Sequence, residues 1–85
     1  MKLVESAVVE VLSDIVGRSI SEPDLDADLT TGLKIISDDL SMRFVPELEA
    51  KLGVEASASQ WSNVNTGRDA IRLFESLLAK RDGHS

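Results

Sequence analysis

A chain of 85 residues with 42% hydrophobic and 28% charged residues has the size and composition of one small folded domain rather than of a disordered segment. Its net charge of −6 and isoelectric point near 4.6 oppose binding to nucleic acid or to an anionic membrane surface, and favour partners that present basic patches. The absence of cysteine excludes a disulfide framework, a thiolate metal site and a cysteine nucleophile.

Residues 3–16 place Leu3, Val4, Ala7, Val8, Val11, Leu12, Ile15 and Val16 on one stripe, with Glu5, Glu10 and Asp14 elsewhere. That spacing predicts an amphipathic helix, and Gly17 is its stop. The connection that follows, 18–36, holds Ser19, Ser21, Glu22, Pro23 and three aspartates, interrupted by Ile20, Leu25, Leu29, Leu33, Ile35 and Ile36. A polar loop of this length needs a job or its own anchors. The spaced leucines predict that it is pinned across the mouth of a helical bundle.

Ser37 reads as the N-cap of a second helix, with Asp38 and Asp39 in the first turn, where the helix dipole favours negative charge. Leu40, Phe44 or Val45, Leu48 and Leu52 supply its buried face. Pro46 removes a hydrogen bond inside that helix, so a kink is expected there, or a break with Pro46 opening a new segment. Gly53 ends the element. Residues 54–65 read as a loop with room for one short helical turn, anchored by Val54, Trp61 and Val64, with Trp61 as a large core plug. The last helix starts at Thr66, with Asp69 three residues on as a near capping box. Its stripe is Ala70, Ile71, Phe74, Leu77 and Leu78, and residues 79–85 form a polar, frayed tail. No strand pattern and no repeat interrupts this order. The expected fold is all-α, one domain over 1–85, with three main helices, a short helix and a long first loop.

No apolar run approaches the roughly 18 residues of a membrane span. Glu5 stands where a secretory signal would continue its apolar core. A cytoplasmic protein is expected, with a monomer as the default. Catalysis by the chain itself is not expected: the one histidine, His84, is the penultimate residue, and the carboxylates are scattered over helix surfaces. The run 24-DLDAD-28 matches the first ligand positions of a calcium loop, but Leu29 and Ile35 stand where that loop needs glycine and glutamate. These aspartates therefore read as solvated loop carboxylates, and no metal is expected. Ser37 is the remaining candidate. A hydroxyl at a helix N-terminus lies beside unpaired N–H groups that favour a phosphate ester, although taken alone such a serine is more commonly an unmodified cap.

The order of these parts resembles the acyl carrier protein family, a phosphopantetheine carrier domain. The resemblance covers roughly residues 3–78. It is carried by 26-DADL-29 leading to Leu33, by 48-LEAKLGVE-55 and by 61-WSNVNTGRDAI-71. In that family a serine in an L-G-x-D-S-L stretch carries 4′-phosphopantetheine. The thiol of the arm holds an acyl or aminoacyl group as a thioester while separate enzymes act on it. Laid on this sequence, the motif puts Leu33 on its first leucine and Ser37 on its serine, with one extra residue within 40–44 before the later helix resumes its register. Lys34 then replaces the glycine, Ile36 the aspartate and Asp38 the last leucine. Without the extra residue, Asp38 falls under the serine position. A further candidate is Ser41 in 39-DLSM-42, which leaves the second helix nearly a turn short.

The resemblance implies a covalent 4′-phosphopantetheine at Ser37 in fatty acid or polyketide biosynthesis. It implies a phosphopantetheinyl transferase and acyl- or aminoacyl-loading and transferring enzymes as partners. Asp38, Asp39, Arg43 and Glu47 then form the partner-binding face, while Leu33, Phe44, Val45, Leu48, Trp61, Ile71 and Phe74 line the core. The alternative is a carrier-like helical adaptor that is not phosphopantetheinylated and acts by protein–protein binding. The residues around Ser37 and the kink expected at Pro46 favour that alternative.

Overall fold

The structure, a computed structural model, describes residues 2–83, with side chains described for 3–80. Helix α1 (Lys2–Val16) is followed by a one-turn helix α2 (Glu22–Leu25) within the long connection. Helix α3 spans 37–52 and is not uniform: Ser37–Asp39 and Val45–Leu52 are α-helical, and Leu40–Phe44 between them is π-helical. The short α4 (Ala58–Trp61) and the long α5 (Gly67–Gly83) complete the chain. The described residues contain no strand, and the fold is all-α. The turn at Glu22–Leu25 is a second short helix beyond the one the sequence suggested.

The apolar stripe of α1 explains the centre of the bundle. Val4, Val8, Val11 and Leu12 are buried against α3 and α5, each removing apolar surface worth about 1.5–3 kcal/mol. Leu3 departs from the stripe and is 66% exposed. From α3 the core receives Phe44, Leu48 and Leu52, and from α5 Ala70, Ile71, Phe74 and Leu78. Phe44, rather than Val45, takes the inner position, because the π-turn adds one residue before the second α-helical segment. Helix α5 is helical as far as Gly83, through most of the segment read as a frayed tail. His84 lies outside the described residues.

The long connection is pinned, as its leucines suggested. Ile20, Leu25, Leu29, Leu33 and Ile35 are all buried. The Cα radius of gyration is 12.1 Å, close to the roughly 12 Å of a compact chain of this length, so the loop lies on the bundle rather than away from it. Leu29 N donates to Asn65 O at 2.8 Å, and Asp28 bridges to Thr66, which clips the loop to the start of α5.

The three aspartates of 24-DLDAD-28 are surface carboxylates, as read from sequence, and they also hold the loop through exposed side-chain bonds. Asp24 accepts from Arg18 Nη1 at 2.9 Å and Nη2 at 3.2 Å, and from Ser21 N and Oγ at 2.9 Å each. Asp26 accepts from Arg68 Nε at 2.6 Å, and the same guanidinium reaches Glu22 at 3.2 Å. Asp28 Oδ1 accepts from Thr30 N, Thr30 Oγ1 and Thr31 N, closing a turn onto itself. Gly32 completes that turn: a Cβ there would lie 2.7 Å from Asp28 O. Among the described residues no cluster of carboxylates or histidines is arranged to hold a metal ion.

The ends of α3 and α5 follow local chemistry. Gly53 closes α3 in the left-handed region, φ 69°, with its N–H on Glu49 O at 2.8 Å, a conformation glycine adopts without Cβ conflict. At α5, Asp69 N donates to Thr66 Oγ1 at 3.1 Å while Asp69 Oδ2 accepts from Thr66 N at 3.3 Å. That reciprocal pair is the capping box the sequence indicated.

Candidate functional site

The start of α3 differs from its sequence reading. Ile36 occupies the N-cap position with extended backbone, and Ser37 is the first helical residue. Ser37 is therefore not a cap. Its side chain is exposed, and among the described residues its Oγ has no hydrogen-bond partner. Ser41, one turn on, is different: its Oγ donates to Ser37 O at 3.1 Å and Asp38 O at 3.4 Å, a back-bond to the preceding turn that occupies the hydroxyl proton. Of the two serines, only Ser37 presents an uncommitted hydroxyl.

The backbone before Ser37 is strained. Lys34 has φ 60° and is the one non-glycine residue with positive φ among those described. This left-handed conformation costs roughly 1–2 kcal/mol for a residue with a Cβ and almost nothing for glycine. Ile35 N donating to Leu29 O at 3.0 Å, with the burial of Leu33 and Ile35 on either side, holds the chain in it.

Ser37 and Ser41 stand at the rim of a cleft of about 180 Å³. The rest of its lining is apolar: Leu29 from the long loop, Leu40, Phe44 and Val45 from α3, and Trp61 and Val64 from the segment around α4. The π-turn builds one wall. Val45 N donates to Leu40 O, five residues back, and this wide turn lets Leu40, Ser41, Phe44 and Val45 all reach the cleft. Pro46 then falls in the first turn of the next α-helical segment, where its missing N–H is tolerated. The expected kink or break is thus a π-turn, a feature that frequently marks a functional site.

Trp61 forms the inner wall. Its ring meets Phe44 edge-on at 5.7 Å and lies against Phe74 at 5.5 Å. Trp61 is half-buried rather than a sealed core plug. Its Nε1–H donates to Glu49 Oε2 at 3.3 Å, and the same oxygen accepts from Ala56 N at 2.9 Å. Glu49 thus fixes both the indole and the chain leading to α4.

The four residues assigned to partner binding separate into two pairs. Asp38 is exposed and Asp39 half-buried beside Ser37. Arg43 instead pairs at the surface with Asp14 of α1 at 3.1 Å and with Glu47 at 3.4 Å. Ile36 and Met42, 62% and 75% exposed, add apolar surface on the same helix. Leu29, Leu40 and Val64 were not singled out as site residues from sequence, and Glu49, read from sequence as part of the docking face, instead accepts from Trp61 and Ala56. Val64 and Trp61 as lone apolar anchors in a polar stretch were the available signal.

No family model, curated protein or solved structure matches this chain.

Among the described residues no helix is long and apolar enough to cross a membrane.

Proposed function

We propose that this chain is a carrier protein of the acyl-carrier type. Ser37 bears a 4′-phosphopantetheine arm, added by a phosphopantetheinyl transferase from coenzyme A. The arm's thiol holds an acyl or aminoacyl group as a thioester, which loading and transferring enzymes attach and remove. The observation that carries this reading is the left-handed backbone at Lys34, φ 60°, three residues before an uncommitted serine at the mouth of an apolar cleft. The resemblance sets Lys34 on the glycine of the family motif, and glycine is the residue that adopts left-handed backbone without strain. The π-turn gives further support. A widened turn at Leu40–Phe44 has room for the one extra residue within 40–44, which supports the alignment with Ser37 rather than Asp38 as the attachment residue.

In this reading the first-turn N–H groups of α3 favour the phosphodiester, and Asp38 and Asp39 oppose it through like charge. On the docking face Asp38 and Asp39 offer their charge directly, whereas Glu47 shares an exposed ion pair with Arg43. The chain folds in the cytoplasm as a monomer and works by presenting cargo, with no catalytic residue of its own. Mass spectrometry after exposure to coenzyme A and a promiscuous transferase tests it.

A second reading is a carrier-like adaptor without the arm. Ile36 and Met42, exposed on either side of Ser37, favour it, since they provide apolar contact for a protein partner without any prosthetic group. An unmodified mass for a folded sample, together with loss of partner capture in Ile36→Ser/Met42→Ser, would select it.

A further inference from the structure

We infer that Trp61, held by Glu49, is the wall that sets the length of chain the cleft admits, and so makes this a carrier selective for short apolar cargo. This rests on the carrier reading of Ser37. The hydroxyl that bears the arm and the apolar walls belong to one cleft, so cargo on the arm's thiol meets those walls when the arm folds back on the protein. At about 180 Å³ the cleft slightly exceeds the roughly 150 Å³ apolar cavity that takes up benzene, so it accommodates about six carbons.

The limit is one side chain deep. Phe74 is fully buried and does not line the cleft; it lies directly behind Trp61, with ring centroids 5.5 Å apart. The indole therefore stands between the cleft and the Phe74 ring of the core. Its position is fixed by edge-on contact with Phe44 on one side and by the Nε1–H bond to Glu49 Oε2 on the other. Glu49 is held in turn by Ala56 N, so the acceptor that orients the indole is itself fixed. Shortening Trp61 adds the volume of the lost indole to the cleft and deepens it towards Phe74. Breaking only the Glu49 bond loosens the same wall without removing it.

The test loads the full chain with acetyl, butyryl, hexanoyl, octanoyl and decanoyl groups by supplying a promiscuous transferase with the corresponding acyl-coenzyme A. Intact mass verifies loading, and the methyl resonances of Leu29, Leu40 and Val64 report occupancy. The expected result is a shift that grows from acetyl to hexanoyl and then levels off. In Trp61→Leu the levelling moves to octanoyl or beyond, and in Glu49→Met, which removes the acceptor oxygen for Trp61 Nε1 while leaving the indole in place, it moves in the same direction by less. Loading with methyl shifts that ignore chain length, or a levelling point unmoved in a folded variant, overturns the wall while leaving the carrier reading intact. No loading of the native chain overturns both.

Discussion

Lys34 and Ser37 are coupled through the backbone: the one non-glycine residue with positive φ among those described, 60° at Lys34, leads three residues later into the uncommitted hydroxyl. A glycine at position 34 relieves the left-handed penalty of roughly 1–2 kcal/mol, less the extra chain entropy glycine loses on folding. Lys34→Gly is therefore expected to stabilise the fold by about 0.5–1 kcal/mol, and Lys34→Ala to give no gain. Denaturant titration of both variants checks this. A Lys34→Gly protein no more stable than Lys34→Ala would mean that the left-handed turn is not the native one.

The turn closed by Asp28 carries a pH signature. Hydrogen bonds from Thr31 N first, then from the hydroxyl and N–H of Thr30, hold the Asp28 carboxyl at a pKa of about 2, against an ordinary 3.8. Arg18, with Ser21, lowers Asp24 further in the same direction. A depressed carboxylate stabilises the fold fully above the unfolded value and loses that contribution as pH falls through the folded one. Thermal midpoints should thus decline as pH is lowered from 3.8 towards about 2. In Asp28→Asn, which retains an acceptor oxygen but does not titrate, the decline is shallower. An identical slope in the variant would show that Asp28 is not the group lost.

The capping box at α5 is worth about 1 kcal/mol by the usual magnitude for such caps. Thr66→Ala should show a loss of that size in chemical denaturation, and Thr66→Ser almost none.

The π-turn and Pro46 are expected to depend on each other. Met42 is 75% exposed, so deleting it removes no core contact and leaves Ser37 in its present position, since the π-turn already absorbs one residue. The shortened helix, however, brings a carbonyl under the Pro46 ring, a conflict of about 3 kcal/mol. Deletion of Met42 alone should destabilise by roughly that amount, and combining it with Pro46→Ala should recover most of it. A double-mutant cycle with additive terms would argue against the coupling.

Much of this fold was legible because its main helices bury continuous stripes. Val4 to Leu12, Leu48 with Leu52, and Ala70 to Leu78 lie at helical spacing, and Gly53 and Thr66 mark ends by local chemistry alone. The spaced leucines of 18–36 also announced their burial. What escaped was decided by tertiary contact. The roles of Asp26 and Glu22 depend on Arg68, more than forty positions away, and Arg43 is claimed by Asp14 across the bundle. The turn at Glu22–Leu25 is too short to show a stripe and exists through Ser21 and Asp24. At the site, Ser37 could be singled out from sequence, but its displacement from the cap by Ile36, the left-handed Lys34 and the wall made by Leu29, Val64 and Trp61 could not. Backbone angles and cleft walls are set by where the loop is clipped, and that information is spread over Asn65, Thr66 and Asp28.

The most direct test of the central claim is the intact mass of the folded chain after incubation with coenzyme A and a promiscuous phosphopantetheinyl transferase, alongside Ser37→Ala and Ser41→Ala. A carrier gains one phosphopantetheine group in the native chain and in Ser41→Ala, and none in Ser37→Ala. No gain beside a control carrier that is fully converted, or a gain that survives Ser37→Ala, would contradict the assignment of Ser37 as the attachment site.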